Sequence, residues 1–293
     1  MKKIWLYNLL VITLGMLLFT WRSSDLSITS IASTQKVTIT TPQKIQYESR
    51  VLVESVVHIV KIPANSKYLV TPVVSDKLNT VEEFAQKHKA IAVLNAGYFD
   101  PVNQKSTSYI TQQRKLVADP KLNERLVNNP KLKSYLPKIL NRSEFRKISC
   151  GSKIQYEIAF HEQKTTLNCQ IIDAIGAGPK LLPDLTLVEE GFVDNINGRD
   201  AIGSNQLNAR SAVGITEDGS VLLVMVAQKP ETPSGVSLPK LADLMKNLGA
   251  KSAMNLDGGS SSSLYYNGKI YNGKIDKQGN STIRPIKSVL LIK

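Results

Sequence analysis

The chain of 293 residues is long enough for one large domain or two small ones, and its 42% hydrophobic content argues against wholesale disorder. Its 37 basic and 24 acidic residues give a net charge of +13, which favours anionic partners or surfaces. Nucleic acid is not expected among them, because the sequence has no zinc-finger spacing, helix-turn-helix signature or interleaved aromatic pattern.

Residues 1–22 have the pattern of a targeting segment. Lys2 and Lys3 precede an apolar run from Ile4 to Phe19. This pattern predicts a signal peptide or a short membrane anchor. Phe19-Thr-Trp21 is a poor cleavage site, so both alternatives stay open, and with the anchor the membrane would be a partner. In either case we expect the protein to be exported and to be periplasmic, extracellular or anchored facing outside the cytoplasm.

Residues 23–44 are rich in Ser, Thr and Gln and predict a flexible tether, so the domain is expected to span 45–293. The β-branched run Val51–Ile62 predicts a strand that stops at Pro63. Thr80 is a suitable N-cap for a helix that runs to Lys89. A short buried strand over 90–94 should then end at the polar segment 95–100.

The segment 111–147 carries ten Lys/Arg and three Asp/Glu, a net of +7. Asp119-Pro and Asn129-Pro are each typical of an N-cap followed by proline at the first helical position. We therefore expect a basic insertion of short helices, either as a lid over a site or as a solvated face. Two cysteines, Cys150 and Cys169, predict one disulfide, as is common in exported proteins.

The second half of the chain alternates strands with turn signals. A hairpin is expected around 217–220, a helix over 237–248 that stops at Gly249, and further hairpin turns at Asn267-Gly268 and Asn272-Gly273. The predicted fold class is α+β, with a mixed, strand-rich sheet core, flanking helices and the inserted basic helical segment.

The segment Asn255-Leu-Asp-Gly-Gly-Ser-Ser-Ser-Ser263 follows an apolar run and predicts a site for a polar ligand. The alternative is an Asp-Gly turn followed by a solvated Ser linker. Asp257 and Asp100 each follow a predicted strand, and two converging carboxylates are what glycosidic cleavage needs. The same carboxylates offer the oxygen ligands that Ca²⁺ or Mg²⁺ prefers, so such an ion is the one candidate cofactor.

Four motifs in this order resemble the phosphodiester glycosidase domain family and its bacterial, exopolysaccharide-associated members: 95–100 (NAGYFD), 176–182 (GAGPKLL), 210–214 (RSAVG) and 255–261 (NLDGGSS). The resemblance implies an enzyme that hydrolyses a sugar-1-phosphodiester at the anomeric carbon, with a phosphorylated or phosphodiester-linked glycan as partner. Asp257 and Asp100 would be catalytic. The expected substrate-binding residues are Asn95, Gly97, Arg210, Asn255, Gly258, Gly259, Ser260 and Arg284.

One departure from the family pattern affects the expected substrate. Many relatives carry an acidic residue and Gly after the strand that ends near Val226, whereas this chain has Ala227-Gln228. Two other functions remain open. One is a non-catalytic envelope glycan-binding protein that holds an anionic polymer with segment 111–147, and the other is a metal-dependent phosphodiesterase that cuts the P–O bond.

Overall fold

The computed structural model describes residues 42–230 and 233–293. The predicted targeting segment and most of the tether lie outside them. The helices among these residues are α1 Val81–His88, α2 Glu124–Val127, α3 Leu136–Leu140 and α4 Leu238–Asn247, with short 3-10 turns at Pro120–Leu122, Pro130–Leu132 and Gly259–Ser261. No helix in the described ranges is both long and apolar enough to cross a membrane.

Strands supply most of the regular structure. In chain order they are β1 Gln46–Val51, β2 Val56–Ile62, β3 Val70–Asn79, β4 Ala92–Asn95, β5 Ile110–Gln112, β6 Lys115–Ala118, β7 Ser143–Cys150, β8 Lys153–Phe160, β9 Cys169–Gly176, β10 Lys180–Leu182, β11 Val193–Asp194, β12 Arg199–Asp200, β13 Arg210–Thr216, β14 Val221–Ala227, β15 Ala250–Asn255, β16 Ser263–Tyr266, β17 Lys269–Asn272 and β18 Ile286–Ile292.

Three sheets form the domain. The first has the order β1-β2-β14-β13-β15-β10, the second β17-β16-β4-β18-β3 and the third β6-β5-β9-β7-β8, while β11 and β12 form a separate hairpin. The α+β, strand-rich class is confirmed. Where a mixed sheet was expected, the described strand pairs run antiparallel, because hairpins join many consecutive strands.

The main core lies between the three sheets, and each outer face of the first two is covered by a helix. In β14 the side chains of Leu223 and Met225 enter the shared core, whereas Leu222 and Val224 pack on the other side, with α4. Both faces of this strand are therefore buried, which explains its uninterrupted apolar sequence. Helix α1 covers the second sheet in the same way.

The helix boundaries follow the local sequence signals. Thr80 and Glu83 form a reciprocal capping box at the start of α1. The side chain of Ser237 accepts a hydrogen bond from the Lys240 backbone at the start of α4. Gly249 adopts a left-handed φ of 86° just past the end of that helix. The helices predicted over 80–89 and 237–248 are confirmed.

Three predictions need correction. The expected strand Val51–Ile62 is a hairpin, because residues 52–55 turn and separate β1 from β2. The basic segment 111–147 is helical only between 120 and 140, since its two ends belong to β5, β6 and β7 in the third sheet. Asn272-Gly273 is not a hairpin turn. Gly273 instead lies tightly against residue 262, where an added Cβ would be 2.7 Å from the Ser262 Cβ.

The third sheet contains the predicted disulfide. Cys150 in β7 and Cys169 in β9 are register partners with Cα atoms 4.2 Å apart, and their sulfurs are bonded. Two basic residues of segment 111–147 are also buried in this sheet. Arg146 is fully buried and pairs with Glu144 and Glu157, and Lys147 pairs with Asp173. The solvated-face interpretation therefore does not hold for these two cations.

Candidate functional site

The candidate site lies where the end of β4, in the second sheet, meets the end of β15, in the first. Asn95 joins the two. Its Nδ2 donates to the Asp257 carbonyl oxygen (2.6 Å), and its Oδ1 accepts from the Ser211 hydroxyl (2.6 Å) and the Ser263 N–H (3.1 Å). The Asp257 N–H in turn donates to the Ala96 carbonyl oxygen (2.7 Å). The buried amide of Asn95 thus fixes the backbone of the candidate carboxylate.

Asp257 has the most perturbed carboxyl of the predicted site residues. Burial raises its pKa to about 6, against the opposing effects of a hydrogen bond from the Ser261 side chain, the positive charge of Arg284 and the Gly258 N–H. A carboxyl with a pKa near neutrality changes its protonation state readily at physiological pH, as a general acid or base must.

The residues after Asp257 form a compact turn. Gly259 to Ser261 make one 3-10 turn, and Gly259 has a left-handed φ of 62°. A Cβ at Gly258 would be 3.2 Å from the Ala209 carbonyl oxygen. The serines at 261, 262 and 263 are buried. The alternative of a solvated Ser linker is therefore wrong for this segment.

Arg284 faces the same turn from the segment before β18. Its Nη1 donates to the Ser260 hydroxyl (2.7 Å), and its guanidinium carbon lies 5.3 Å from the centroid of the Phe99 ring. The remaining guanidinium N–H groups have no protein acceptor among the described residues. The charge of Arg284 thus acts on the Asp257 carboxyl while its guanidinium bonds to Ser260, and the substrate-binding roles of both residues stay predictions.

Asn255 organises the opposite side of the site. Its Nδ2 lies within hydrogen-bond distance of the Tyr98 hydroxyl oxygen (2.9 Å) and the carbonyl oxygens of Gly178 (3.1 Å) and Leu256 (2.7 Å). Its Oδ1 is buried and has no partner in the described part of the chain. The amide therefore orients the local backbone and leaves one acceptor free.

Tyr98 is a site residue that the sequence analysis missed. Its hydroxyl donates to the Gly178 carbonyl oxygen (2.9 Å). Burial is the main cause that raises the pKa of Tyr98, and the charge of Asp257 adds to it, whereas the charges of Arg142 and Arg210 oppose it. Tyr98 therefore stays protonated between the carboxylate and these cations. The position of Tyr98 in the 95–100 motif could have indicated a site residue, but unlike Asp100 it carries no charge that singles it out.

Gly97 is required for close packing at this junction. An added Cβ would be 3.1 Å from both the Gly176 carbonyl oxygen and the Ser288 hydroxyl oxygen. The Gly97 N–H donates to that same hydroxyl oxygen (3.1 Å). Gly97 thus lets the 95–100 and 176–178 segments approach each other, which places Tyr98 over Gly178.

Arg210 is held by the protein itself. Its guanidinium donates to four backbone carbonyl oxygens, those of Ile202, Gly203, Gln206 and Val236, at 2.6 to 3.3 Å. The side chain is only 3% exposed, and burial lowers its pKa. In this arrangement Arg210 orders the 202–206 loop beside the site. Its predicted contact with a substrate phosphate stays a prediction.

Asp100 has partners of its own. Its Oδ2 pairs with Arg125 Nε (2.8 Å), and its Oδ1 accepts from the Val102 N–H (2.8 Å). Burial raises the pKa of Asp100, but these hydrogen bonds outweigh it, so the pKa is lower than usual. No contact between Asp100 and Asp257 is present in the described residues, and its role as a second catalytic carboxylate stays a prediction.

Glu190 is a buried carboxylate near the site, and the sequence analysis missed it. Its oxygens accept hydrogen bonds from the Ser143 N–H and hydroxyl, the Lys180 N–H and the Thr186 hydroxyl. A Cβ at Gly178 would be 2.1 Å from Glu190 Oε2. Through these four hydrogen bonds the Glu190 carboxylate links the 178–180 turn to Ser143 in β7.

The described residues contain no group of three or more His, Cys, Asp or Glu side chains arranged to hold a metal ion. The predicted Ca²⁺ or Mg²⁺ therefore has no complete carboxylate ligand set in the described residues, and such an ion stays a hypothesis for this protein.

Comparison with known proteins gives a family and a fold. The phosphodiester glycosidase family matches residues 88–293, more than two thirds of the chain. No curated protein matches the chain.

Among solved structures, the catalytic domain of zebrafish N-acetylglucosamine-1-phosphodiester alpha-N-acetylglucosaminidase, auto-inhibited by its pro-peptide, is 20% identical with a TM-score of 0.60, and the match covers 85% of this chain and 82% of that one. A hypothetical protein from Synechocystis is 16% identical (TM-score 0.55), over 85% of this chain and 61% of its own. A putative exported protein from Burkholderia pseudomallei is 15% identical (TM-score 0.53), over 81% and 74%. At these identities the likenesses show a shared fold.

Proposed function

The chain belongs to the phosphodiester glycosidase family, and we propose that it cleaves a sugar-1-phosphodiester at the anomeric carbon. The products would be a free sugar and a phosphomonoester. The substrate would be a phosphodiester-linked glycan of the envelope or the extracellular space. Family membership itself supports the coarser function, a hydrolase that acts on phosphodiester-linked glycans.

The observation that carries the proposal is the environment of Asp257. Asp257 is half-buried at the junction of two sheets, desolvation raises the pKa of its carboxyl to about 6, and Arg284 lies close enough to oppose that rise. Above this pKa the ionised carboxylate can stabilise an oxocarbenium-like transition state, attack the anomeric carbon or activate a water. We assign it this ionised role.

The leaving group explains why a strong general acid is not essential. A phosphomonoester is already a good leaving group, so a cation that stabilises its charge can replace protonation. Arg284 meets this need, because its guanidinium retains free N–H groups after bonding to Ser260. Asp100, paired with Arg125 and ionised, is better suited to holding the 99–105 turn than to donating a proton.

The first test is turnover of a methyl phosphodiester of N-acetylglucosamine-1-phosphate by wild type and by Asp257→Asn. We expect kcat to fall about 10²- to 10⁴-fold in the variant. Asp243→Asn, the same chemical change on the exposed face of α4, is the matched control and should leave kcat unchanged. Full activity in a folded Asp257→Asn protein would contradict the proposal.

Product analysis in ¹⁸O-labelled water separates the alternatives. Label in the sugar hydroxyl supports cleavage at the anomeric carbon. Label in the phosphate supports a phosphodiesterase, and it supports a metal-dependent one if chelation stops the reaction and Ca²⁺ or Mg²⁺ restores it. Saturable glycan binding without turnover, weakened by charge reversals at exposed cations of segment 111–147, supports a glycan-binding protein.

We also propose that the protein is exported. The disulfide between Cys150 and Cys169 supports this, because such bonds persist in oxidising compartments. The basic and apolar pattern of residues 1–22 supports it independently. A fusion of residues 1–44 to a reporter that is active only outside the cytoplasm should be active, and deletion of residues 1–22 should abolish that activity.

A further inference from the structure

Arg142 lies beside the candidate site with much of its hydrogen-bonding capacity unused. Its Nε donates to the Glu190 carbonyl oxygen (3.1 Å), and its guanidinium stacks on Phe192, with the guanidinium carbon 3.7 Å from the ring centroid. The same carbon lies 6.0 Å from the centroid of Tyr98. The two terminal nitrogens have no acceptor in the described residues. Stacking thus holds the guanidinium plane in place and leaves its N–H groups free.

Arg199 is a second arginine of the same kind. It lies in β12, on the hairpin that begins just after Phe192, and its guanidinium carbon is 4.7 Å from the Tyr135 ring centroid. Its Nε is buried without an acceptor in the described part of the chain. The hairpin is fixed near its base by the Ala201 N–H, which donates to the Phe192 carbonyl oxygen (2.9 Å). Arg199 and the ring on which Arg142 stacks therefore belong to one anchored unit.

The carboxylates of the described residues form no ion pair with these two arginines. Glu190 directs its oxygens to Ser143, Lys180 and Thr186. Asp194 accepts from the Tyr135 hydroxyl (2.7 Å) and from Asn197 (2.6 Å). By contrast, the arginines that form ion pairs in the described residues are Arg50, Arg125 and Arg146.

The charges of Arg142 and Arg199 also act on each other. Burial is the main cause that lowers the pKa of Arg142 to about 10, and the positive charge of Arg199 lowers it further, against Tyr98 and Glu190. When two cations repel each other, an anion that binds between them relieves the repulsion, which stabilises the bound state. Tyr98 lies near both Arg142 and Asp257, because its ring faces the Arg142 guanidinium and the charge of Asp257 shifts the pKa of Tyr98.

We propose that Arg142 and Arg199 form the subsite for the phosphate ester on the leaving-group side of the substrate. Their stacked guanidinium groups would bind the phosphate oxygens together with Arg284, while Asp257 faces the anomeric carbon. The assignment rests on the proposed function for the identity of the substrate, but it requires only that a phosphate group binds here. It moves the main phosphate contact away from Arg210, because four of the five guanidinium N–H groups of Arg210 already donate to backbone carbonyl oxygens.

Calorimetric titration with inorganic phosphate tests the subsite without any turnover. We expect Arg142→Gln and Arg199→Gln each to weaken phosphate binding about ten- to hundredfold, as loss of hydrogen bonds to a charged group predicts. Arg50→Gln, at an exposed arginine paired with Glu48, is the control for net charge and should bind as wild type does. Arg199→Gln keeps the test valid if Arg142→Gln fails to fold, because Arg199 makes fewer contacts with the protein.

Kinetics on the N-acetylglucosamine-1-phosphodiester give the second readout. In both variants KM should rise at least about tenfold while the pH dependence of kcat stays that of wild type. No saturable phosphate binding in wild type, or unchanged binding in both folded variants, would overturn the subsite. If phosphate binds as expected but no substrate is turned over, the subsite stands and the proposed function fails. If turnover occurs and both variants keep the wild-type KM, the function stands and the subsite fails.

Discussion

Asp257→Asn should make the folded protein more stable at neutral pH while lowering kcat. The folded state raises the pKa of this carboxyl to about 6, whereas an unfolded chain leaves it near 3.9. Folding therefore disfavours the ionised form, and the cost is fully present above pH 6. It is lost as the pH falls from about 6 to about 4, because both states are then protonated.

The size of this effect follows from the shift. About two pKa units correspond to roughly 3 kcal/mol at pH 7.5. The side chain is partly exposed, so water screens part of the cost, and we expect Asp257→Asn to gain about 1–3 kcal/mol in the free energy of unfolding. An asparagine oxygen can still accept from the Gly258 N–H, so the substitution keeps much of the local geometry.

Urea unfolding of wild type and Asp257→Asn between pH 4 and 8 measures the difference directly. The stability gain should be largest above pH 7 and should vanish near pH 4. His58, whose pKa burial lowers to about 4, destabilises both proteins equally as the pH falls from about 6.5, so it cancels in the comparison. Asp243→Asn should show no pH-dependent difference. A variant less stable than wild type at every pH would refute the reasoning.

Two further substitutions test the structural parts of the site. Asn95→Ala leaves three partners unpaired, two of them on buried serines, and should lower the free energy of unfolding by about 3 kcal/mol, whereas exposed Asn195→Ala should change it by less than about 0.5 kcal/mol in the same urea titration. Equal losses of stability in the two variants would contradict the role assigned to the Asn95 hydrogen bonds. Gly178→Ala puts a Cβ 2.1 Å from Glu190 Oε2 and should lower the melting temperature and kcat/KM. Gly249→Ala shares the left-handed φ but has no neighbour within 4 Å, so it isolates the clash, and matching melting temperatures would refute it.

Most of the fold was predictable because its signals are local. The capping residues Thr80 and Ser237, the Glu217–Ser220 turn and the apolar run of β14 each determine an element within a few residues of sequence. The predictions failed where tertiary pairing decides the structure. Segment 111–147 carries proline and N-cap signals typical of short helices. Its two ends nevertheless belong to strands of the third sheet, where β5 and β7 both pair with β9.

The site was predictable in part for the same reason. Asp257 and its glycines stand out by motif, and the structure places Arg284 and Ser260 beside them. Arg142 belongs to none of the four motifs, and its stacking on Phe192 and its approach to Tyr98 are visible only in the folded chain. Sequence likewise could not show that loop carbonyls occupy Arg210.

The amide of Asn95 has a consequence for how this site can change over time. It bonds at once to the backbone of Asp257, to Ser211 in the first sheet and to the backbone of Ser263. Substitutions at these positions share one buried partner, so their effects on stability should not add. A change at one of them alters which changes the others tolerate. The junction should therefore accept new residues only in compatible combinations.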